Sequence, residues 1–343
     1  MKRADTTLMK EINLNTVRRT LKRIGTASKP QLSKETGLSV VTVAALVREL
    51  AERGELTEEE AGPSTGGRPA TLYRFNYRHS LALVMHLYER ESLDTVFASV
   101  VDLRGEEVAR EDQPFDELDC PSWLDWIGRL LTVYPNIGIV GLGIPGQAVD
   151  GEIEVSSHKR LIGLNPAALI GERFGLPVLL ENDVNAALQG YLADETPPRH
   201  SEERIVLGLY FPDKYPPGLA ISIGGRTIRG RKGMAGEIKY LPLGIDWNSP
   251  LVGDVFEETV CRLAHTVCAV LAPDRIVLYG ERLNSSPWRG AWQDFIRHYP
   301  LPAEPEVEGS GQFAEHFALG LRKLALQALE PKLSYGQTSV EPI

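Results

Sequence analysis

The sequence predicts an α/β protein that begins with a helix-turn-helix followed by a β-hairpin. Residues 28–56 contain two short helical patterns separated by a glycine. The segment up to residue 75 then holds two short β-type runs joined by Gly- and Pro-rich sequence. From Leu81 onward, apolar strand-like runs alternate with helical patterns, which is typical of an α/β body.

Bulk composition limits the classes of protein to consider. The 343 residues suffice for two or three domains, and 43% hydrophobic with 24% charged residues is typical of a globular protein. Because we find neither an apolar run of bilayer length nor a signal-peptide core, we expect a cytoplasmic protein without a membrane partner. The three cysteines, Cys120, Cys261 and Cys268, form no C-x-x-C pair and argue against a disulfide framework.

Charge is distributed unevenly along the chain. Residues 1–79 hold 14 Lys/Arg against 9 Asp/Glu, whereas the remaining residues hold 23 against 37. Phosphate neutralisation supplies most sequence-independent affinity for DNA. A basic N-terminal segment on an acidic body therefore favours contact between that segment and nucleic acid.

Capping signals define the predicted N-terminal helices. A first helix is expected over Thr16–Ile24, with Asn13 or Asn15 as its cap. A second is expected over Pro30–Thr36, ended by a left-handed Gly37.

The third predicted helix, Val40–Arg53, follows a cap at Ser39. One apolar face is formed by residues at i, i+3, i+4 and i+7: Val43, Leu46, Val47 and Leu50. In a helix-turn-helix this helix enters the major groove of DNA, although an ordinary helical hairpin would have the same pattern. The side chains expected to contact DNA are Lys34, Ser39, Thr42 and Arg48.

The predicted hairpin is interpreted as a wing beside the helix-turn-helix. Its tip, Ser64–Pro69, is small and flexible and carries the cation Arg68. A guanidinium at such a tip is suited to a phosphate or to a narrow minor groove. The alternative is a solvated hairpin tip without a role in binding.

Motifs along the whole chain resemble one known family. STGGRPA, GIPG, LLENDVNAALQG, GMAGEI and PDRIVLYG occur in the order found in the ROK family of repressors, open reading frames and kinases. The resemblance implies a winged helix-turn-helix domain over residues 1–78. It also implies a two-lobed, actin-like (ribonuclease-H-like) ATPase fold over residues 79–343, with a C-terminal helix packing back on the first lobe.

The resemblance assigns three residues to a sugar site. In the family's kinases the carboxylate of the END motif is the general base, which here is Asp183. Asn182 and Glu237 are the residues that would hold sugar hydroxyls. Whether this cleft binds a sugar-like effector or none stays open, because the same residues can cap a helix and bind backbone groups.

The family's phosphate-binding motifs are altered in this sequence. His86 or Leu87 stands where the kinases place an aspartate, and Glu89, Arg90 and Glu91 are expected in the following turn. In the second lobe, Ala220 and Ile221 stand where the kinases place glycine and threonine. Since phosphate cradles need exposed backbone N–H groups, we expect no kinase activity and no cofactor.

The family's zinc motif is also altered. Lys239 replaces the histidine that follows the Glu by two residues, and LPLGIDWNSPLVGDVFEE contains no cysteine. Structural zinc needs thiolate or imidazole ligands, so we expect no metal site.

The sequence thus predicts a DNA-binding regulator that represses carbohydrate-related genes and forms a homodimer or a higher homo-oligomer. Its kinase-like body would serve dimerisation, with a sugar or sugar derivative as the candidate effector. Two alternatives remain: a sugar kinase that uses Asp183 as its base, and a dimeric DNA-binding scaffold without an effector.

Overall fold

A computed structural model describes residues 2–60, 71–90, 93–117, 120–195, 202–247, 249 and 251–329. The described chain forms two compact units. The first unit comprises residues 2–80 with Asp102–Arg104, and the second comprises Leu81–Val101 with residues 105–329. None of the helices in the described part of the chain has the length and apolar character that a membrane span requires.

The first unit is a group of helices with a small sheet. Its elements are α1 (Lys2–Ile24), β1 (Thr26–Ser28), α2 (Lys29–Thr36), α3 (Val40–Glu52), β2 (Leu56–Glu60) and β3 (Thr71–Phe75). The three strands pair in the order β1-β3-β2. Their shared core is formed by apolar residues of every element, including Leu14, Leu21, Leu32, Val43, Leu50 and Tyr73.

The first helix is much longer than predicted. Because α1 begins at Lys2, Asn13 and Asn15 lie inside it and neither is its cap. The segment before Thr16 contains no glycine or proline, and asparagine costs under about 1 kcal/mol inside a helix. Asn15 is buried and accepts a hydrogen bond from the Arg18 guanidinium at 2.6 Å.

The two following helices agree closely with the prediction. Ser28 caps α2 in a capping box with Gln31, and Gly37 ends the helix with φ of 71°. Ser39 caps α3, its hydroxyl accepting from the Thr42 N–H at 3.1 Å. α3 ends at Glu52, one residue before the predicted Arg53.

The second unit contains two five-stranded sheets, a two-stranded sheet and helices. Its strands are β4 (Leu81–Arg90), β5 (Leu93–Asp102), β6 (Glu107–Pro114), β7 (Ile137–Ile144), β8 (Gly146–Val149), β9 (Glu152–Ser156), β10 (Val178–Asn182), β11 (Ile205–Tyr210), β12 (Gly218–Ile223), β13 (Arg226–Thr227), β14 (Arg275–Tyr279) and β15 (Glu306–Ser310). Its helices are α4 (Cys120–Val133), α5 (Pro166–Phe174), α6 (Asp183–Asp194), α7 (Asp254–Leu271), α8 (Trp288–His298) and α9 (Phe313–Leu329).

The described strands give each lobe of the second unit one large sheet. The first lobe contains the sheet β10-β7-β4-β5-β6, and the second lobe contains the sheet β13-β12-β11-β14-β15. Both sheets place their first strand, β4 or β11, at the centre, with the next two strands on one side and two parallel strands on the other. The lobes therefore share one strand order.

Helices α6 and α9 pack closely against each other. A Cβ atom on Gly190 of α6 would lie 1.8 Å from the His316 carbonyl oxygen, and one on Gly320 of α9 would lie 1.8 Å from the Ala186 carbonyl oxygen. Only glycine fits at either position. Side chains of these helices, including Val184, Leu188, Phe317 and Leu321, share a core with strands of both sheets.

We expect Gly320→Ala to lower the free energy of unfolding by about 1–3 kcal/mol or more, because the methyl group would force α6 and α9 apart. Urea unfolding followed by circular dichroism measures the change.

Gly290→Ala is a matched control, since Gly290 also lies in a helix but a Cβ there meets no atom within 4 Å. Helix propensity predicts an unchanged or slightly higher stability for this variant. Equal effects of the two substitutions would contradict the account of the α6–α9 contact.

Candidate functional site

Helix α3 of the first unit has one buried and one exposed face. Val43, Leu46, Val47 and Leu50 are buried in the core of the unit. Val41, Ala45 and Arg48, at i, i+4 and i+7, are exposed on the opposite side and are called the outward face below.

The predicted DNA-contact residues differ in their surroundings. Lys34 and Arg48 are exposed. The hydroxyls of Ser39 and Thr42 lie 2.8 Å apart and are hydrogen-bonded to each other, so both are engaged in the helix cap. Arg68 lies outside the described residues.

The second unit contains a polar cleft between its lobes. It is lined from the first lobe by Gln147, Ser156 and His158, from the start of α6 by Asn182 and Asp183, and from the second lobe by Tyr215, Glu237 and Lys239. The cleft therefore brings together all three residues of the predicted ligand site.

Asn182 is the N-cap of α6. Its side-chain oxygen accepts from the Asn185 N–H at 3.0 Å, and its amide nitrogen donates to the Gly146 carbonyl at 3.0 Å and to Asp183 Oδ1 at 2.8 Å. The amide thus joins the start of the helix to the first residue of β8. These contacts fix the position of the Asp183 carboxyl beside it.

The Asp183 carboxyl is buried, with 9% of the residue exposed. Burial raises its pKa to about 7, and the neighbouring Glu237 carboxylate adds to this, whereas the Val184 N–H and the Asn182 amide oppose it. Oδ1 accepts both of these hydrogen bonds. Such a carboxyl exchanges protons near neutral pH and can both donate to and accept from a hydroxylated ligand.

A loop of the second lobe, Phe211–Pro217, reaches the first lobe. The Tyr215 hydroxyl donates to Asp94 Oδ2 at 3.0 Å and lies 3.3 Å from His158 Nε2. Lys214 Nζ lies 3.3 Å from Glu89 Oε1. Sequence reasoning did not identify this interlobe contact.

The first-lobe strands correct the predicted position of the turn. Glu89 and Arg90 lie within β4, whereas Glu91 lies outside the described residues. His86 is buried beside Phe97 and Phe317, with ring centroids 5.3 and 5.0 Å away, and burial lowers its pKa to about 3. Its ring is therefore a neutral core group at neutral pH.

Sequence comparison places the chain among known proteins. The model of the ROK family matches residues 94–269, which is half of the chain. The chain belongs to the ROK family.

The xylose repressor of Bacillus spizizenii is 26% identical over 259 residues, which cover 72% of this chain and 64% of that protein. The DNA-binding transcriptional dual regulator NagC of Escherichia coli K12 is 25% identical over 252 residues, which cover 69% of this chain and 59% of NagC. The chain thus spans less than two thirds of the length of these relatives.

Solved structures of ROK proteins share the fold. A ROK family transcriptional regulator, a homologue of the Escherichia coli MLC protein, matches 93% of this chain and 97% of its own with a TM-score of 0.63 and 18% identity. The ROK hexokinase from Thermus thermophilus matches 73% of this chain and 99% of its own, with a TM-score of 0.56 and 18% identity. The α/β sugar-kinase-like fold is therefore confirmed.

The phosphate loop of the second lobe lies elsewhere than predicted. Ala220 and Ile221 are inside β12, paired with Gly208 and Leu207 of β11, and so do not form a loop. The connection between β11 and β12 is Phe211–Pro217, which contains no glycine. It lines the cleft with Pro212, Tyr215, Pro216 and Pro217, next to Gly218 and Leu219 at the start of β12. Three of its residues are prolines, which have no backbone N–H to donate to a phosphate.

The residues present do not fit the zinc site that ROK resemblance implies. Lys239 Nζ lies 3.1 Å from Glu237 Oε2, so a cation already occupies the place of the histidine. Cys261 and Cys268 are buried in the apolar core of the second lobe. Within the described ranges, no group of three or more His, Cys, Asp or Glu side chains is arranged to hold a metal ion.

Asp183→Asn tests the buried carboxyl by removing its charge while keeping an acceptor oxygen. Because the pKa is raised from 3.8 to about 7, folding stability from this group is present below about pH 4 and is lost as the pH rises through about 7. We expect the variant to gain stability relative to the wild type over this range, by at most roughly 4 kcal/mol.

Paired urea unfolding curves at several pH values measure the difference in unfolding free energy. Asp116→Asn, at a side chain that is 91% exposed, is the control. A difference between Asp183→Asn and wild type that does not change with pH would contradict the raised pKa.

Proposed function

We propose that this ROK protein is a DNA-binding transcription regulator that represses carbohydrate-related genes. The observation that carries the proposal is the exposed face of α3 in a unit with a helix, a turn, a second helix and a following pair of strands. In helix-turn-helix proteins this second helix enters the major groove. The excess of Lys and Arg in residues 1–79 supports contact with phosphates.

The named relatives support the same function. They are a xylose repressor and the DNA-binding transcriptional dual regulator NagC, so the names of both describe control of transcription. A regulator of this kind would act in the cytoplasm as a homodimer. Two copies of α3 would then meet successive major grooves about 34 Å apart on a pseudo-palindromic site.

The cleft is the proposed site of a sugar or sugar-derivative effector. Asp183, Glu237 and Lys239 offer charged hydrogen-bonding groups in a partly enclosed space, which suits a ligand with several hydroxyls. The Asn182 side chain is already used in the cap of α6 and would contribute by holding Asp183.

We further propose that the second unit does not phosphorylate sugars. Tyr210 stacks on Phe313 with ring centroids 3.7 Å apart, and Tyr88 lies 6.1 Å from the same ring. These rings line the cleft beside the Phe211–Pro217 loop. Bulky side chains and prolines give a polyphosphate few backbone N–H groups to bind.

One observation favours the alternative, a sugar kinase with an attached DNA-binding domain. A carboxyl with a pKa of about 7 in a cleft suits a general base, and Asp183 has that property. An ATP-dependent assay with hexoses, pentoses and N-acetylhexosamines decides between the two. Turnover that disappears in Asp183→Ala would establish the kinase.

DNA binding can be tested at the outward face of α3. Selection of genomic fragments with the full chain should recover a pseudo-palindromic sequence. Arg48→Ala should then lower affinity for the recovered duplex at least about fivefold, because a cation on the outward face is removed.

Arg226→Ala is the matched control, since it removes an exposed cation from the second lobe. If Arg48 contacts a phosphate, the slope of log affinity against log salt concentration becomes shallower by about 0.9. Failure to recover any sequence would refute the proposed function.

The proposed effector can be tested separately. Thermal unfolding of the full chain with a panel of sugars, including xylose and N-acetylglucosamine, should identify a ligand that stabilises the folded state. At 100 times its Kd, a ligand adds about 2.7 kcal/mol to the unfolding free energy.

Asp183→Ala should abolish this shift, whereas Asp116→Ala should preserve it. A panel without any stabilising sugar would favour the scaffold without an effector. A shift that persists in Asp183→Ala would place the ligand elsewhere.

A further inference from the structure

The outward face of α3 is apolar where a recognition helix begins. Val41 is 81% exposed and the adjacent Val40 is 50% exposed. Ala45 lies one turn after Val41 on the same face and is also exposed. The N-terminal residues of a recognition helix are the ones that meet base edges.

Val40 and Val41 contribute little to the stability of the fold. Valine is a weaker helix former than alanine because its branched side chain restricts rotation. An 81% exposed valine buries almost no area in return for this cost. Single exposed apolar residues are common on proteins, but here two adjacent valines lie beside an exposed alanine.

The neighbouring polar groups are committed within the helix cap. Ser39 Oγ accepts from the Thr42 N–H and is hydrogen-bonded to Thr42 Oγ1. The hydroxyls of Ser39 and Thr42 are therefore less available to form hydrogen bonds with base edges. The first turns of α3 present methyl groups instead.

We infer that Val41, supported by Val40 and Ala45, reads the 5-methyl groups of thymine in the major groove. The inference rests on the proposed DNA binding and names the chemistry of the site that α3 recognises. Apolar side chains contact the thymine methyl, which the other three bases lack. Two exposed cations lie nearby in the helix-turn-helix, Lys34 on α2 and Arg48 on α3. Their positive charge favours a polyanionic partner over an apolar protein surface.

The experiment replaces thymine by deoxyuridine, which differs only by the missing methyl. The duplex recovered by selection is synthesised with one dT-to-dU replacement at a time in each half-site. For the wild-type full chain, one or two replacements should weaken binding about fourfold each. For Val41→Ala, the same replacements should change affinity less than about twofold, because the partner of the methyl is shortened.

Val270→Ala is the matched control, since Val270 is 75% exposed on α7 in the second unit. It should respond to dU as the wild type does. Circular dichroism and sedimentation of Val41→Ala should match the wild type, since the side chain is exposed and alanine favours helix.

Specific binding that is insensitive to dU at every position would overturn this inference alone. The inference would also be overturned if Val41→Ala lowered the affinity for the dT and dU duplexes equally. Loss of the dimer in Val41→Ala would overturn it too, because the apolar patch would then be a protein interface. The absence of any selected sequence would instead refute the proposed function and this inference with it.

Discussion

The contact between α6 and α9 is the constraint on which the second unit depends. Each helix places a glycine against the backbone of the other, so the two axes lie closer than side chains would permit. Their remaining faces pack on strands of both sheets. The start of α6 carries Asn182 and Asp183, and the close packing of the helix therefore fixes these two residues at the cleft.

A second consequence concerns charge. The position that α6 imposes buries the Asp183 carboxyl near the Glu237 carboxylate, and proton uptake reduces the repulsion between them. Lys239 lies next to Glu237 and balances one of the two charges. The charges in the cleft thus depend on the packing of α6 and on Lys239, which replaces the histidine of the family's zinc motif.

Much of the local structure could be predicted from sequence, because it depends on local chemistry. Gly37 and Ser39 define the turn between α2 and α3, and their signals lie within a few residues of the groups they bind. The helix predicted over Val40–Arg53 is observed as α3, Val40–Glu52. α1 was predicted too short, because asparagine occurs inside helices as well as at their caps. Asn13 and Asn15 therefore did not mark the start of the helix.

Features that depend on distant partners could not be predicted. Strand β1 has three residues and exists through its pairing with β3. The Tyr215 contacts join residues that are 121 and 57 positions apart. In the candidate site, the adjacency of Asn182 and Asp183 was evident from the motif, but the hydrogen bond from the Asn182 amide to the Gly146 carbonyl joins residues 36 positions apart. The phosphate loop was misplaced because Ala220 and Ile221 precede the glycines Gly224 and Gly225, which form the turn between β12 and β13 instead.

The hairpin that carries the Phe211–Pro217 loop has an evolutionary consequence. Strands β11 and β12 pair over six residues in regular register, so the connection between them can vary in length and composition without disturbing the sheet. In the described part of the chain, that connection supplies the second-lobe side chains that contact Asp94 and Glu89. A lineage can therefore exchange part of one wall of the cleft by mutation within a single loop, while both lobes keep their architecture.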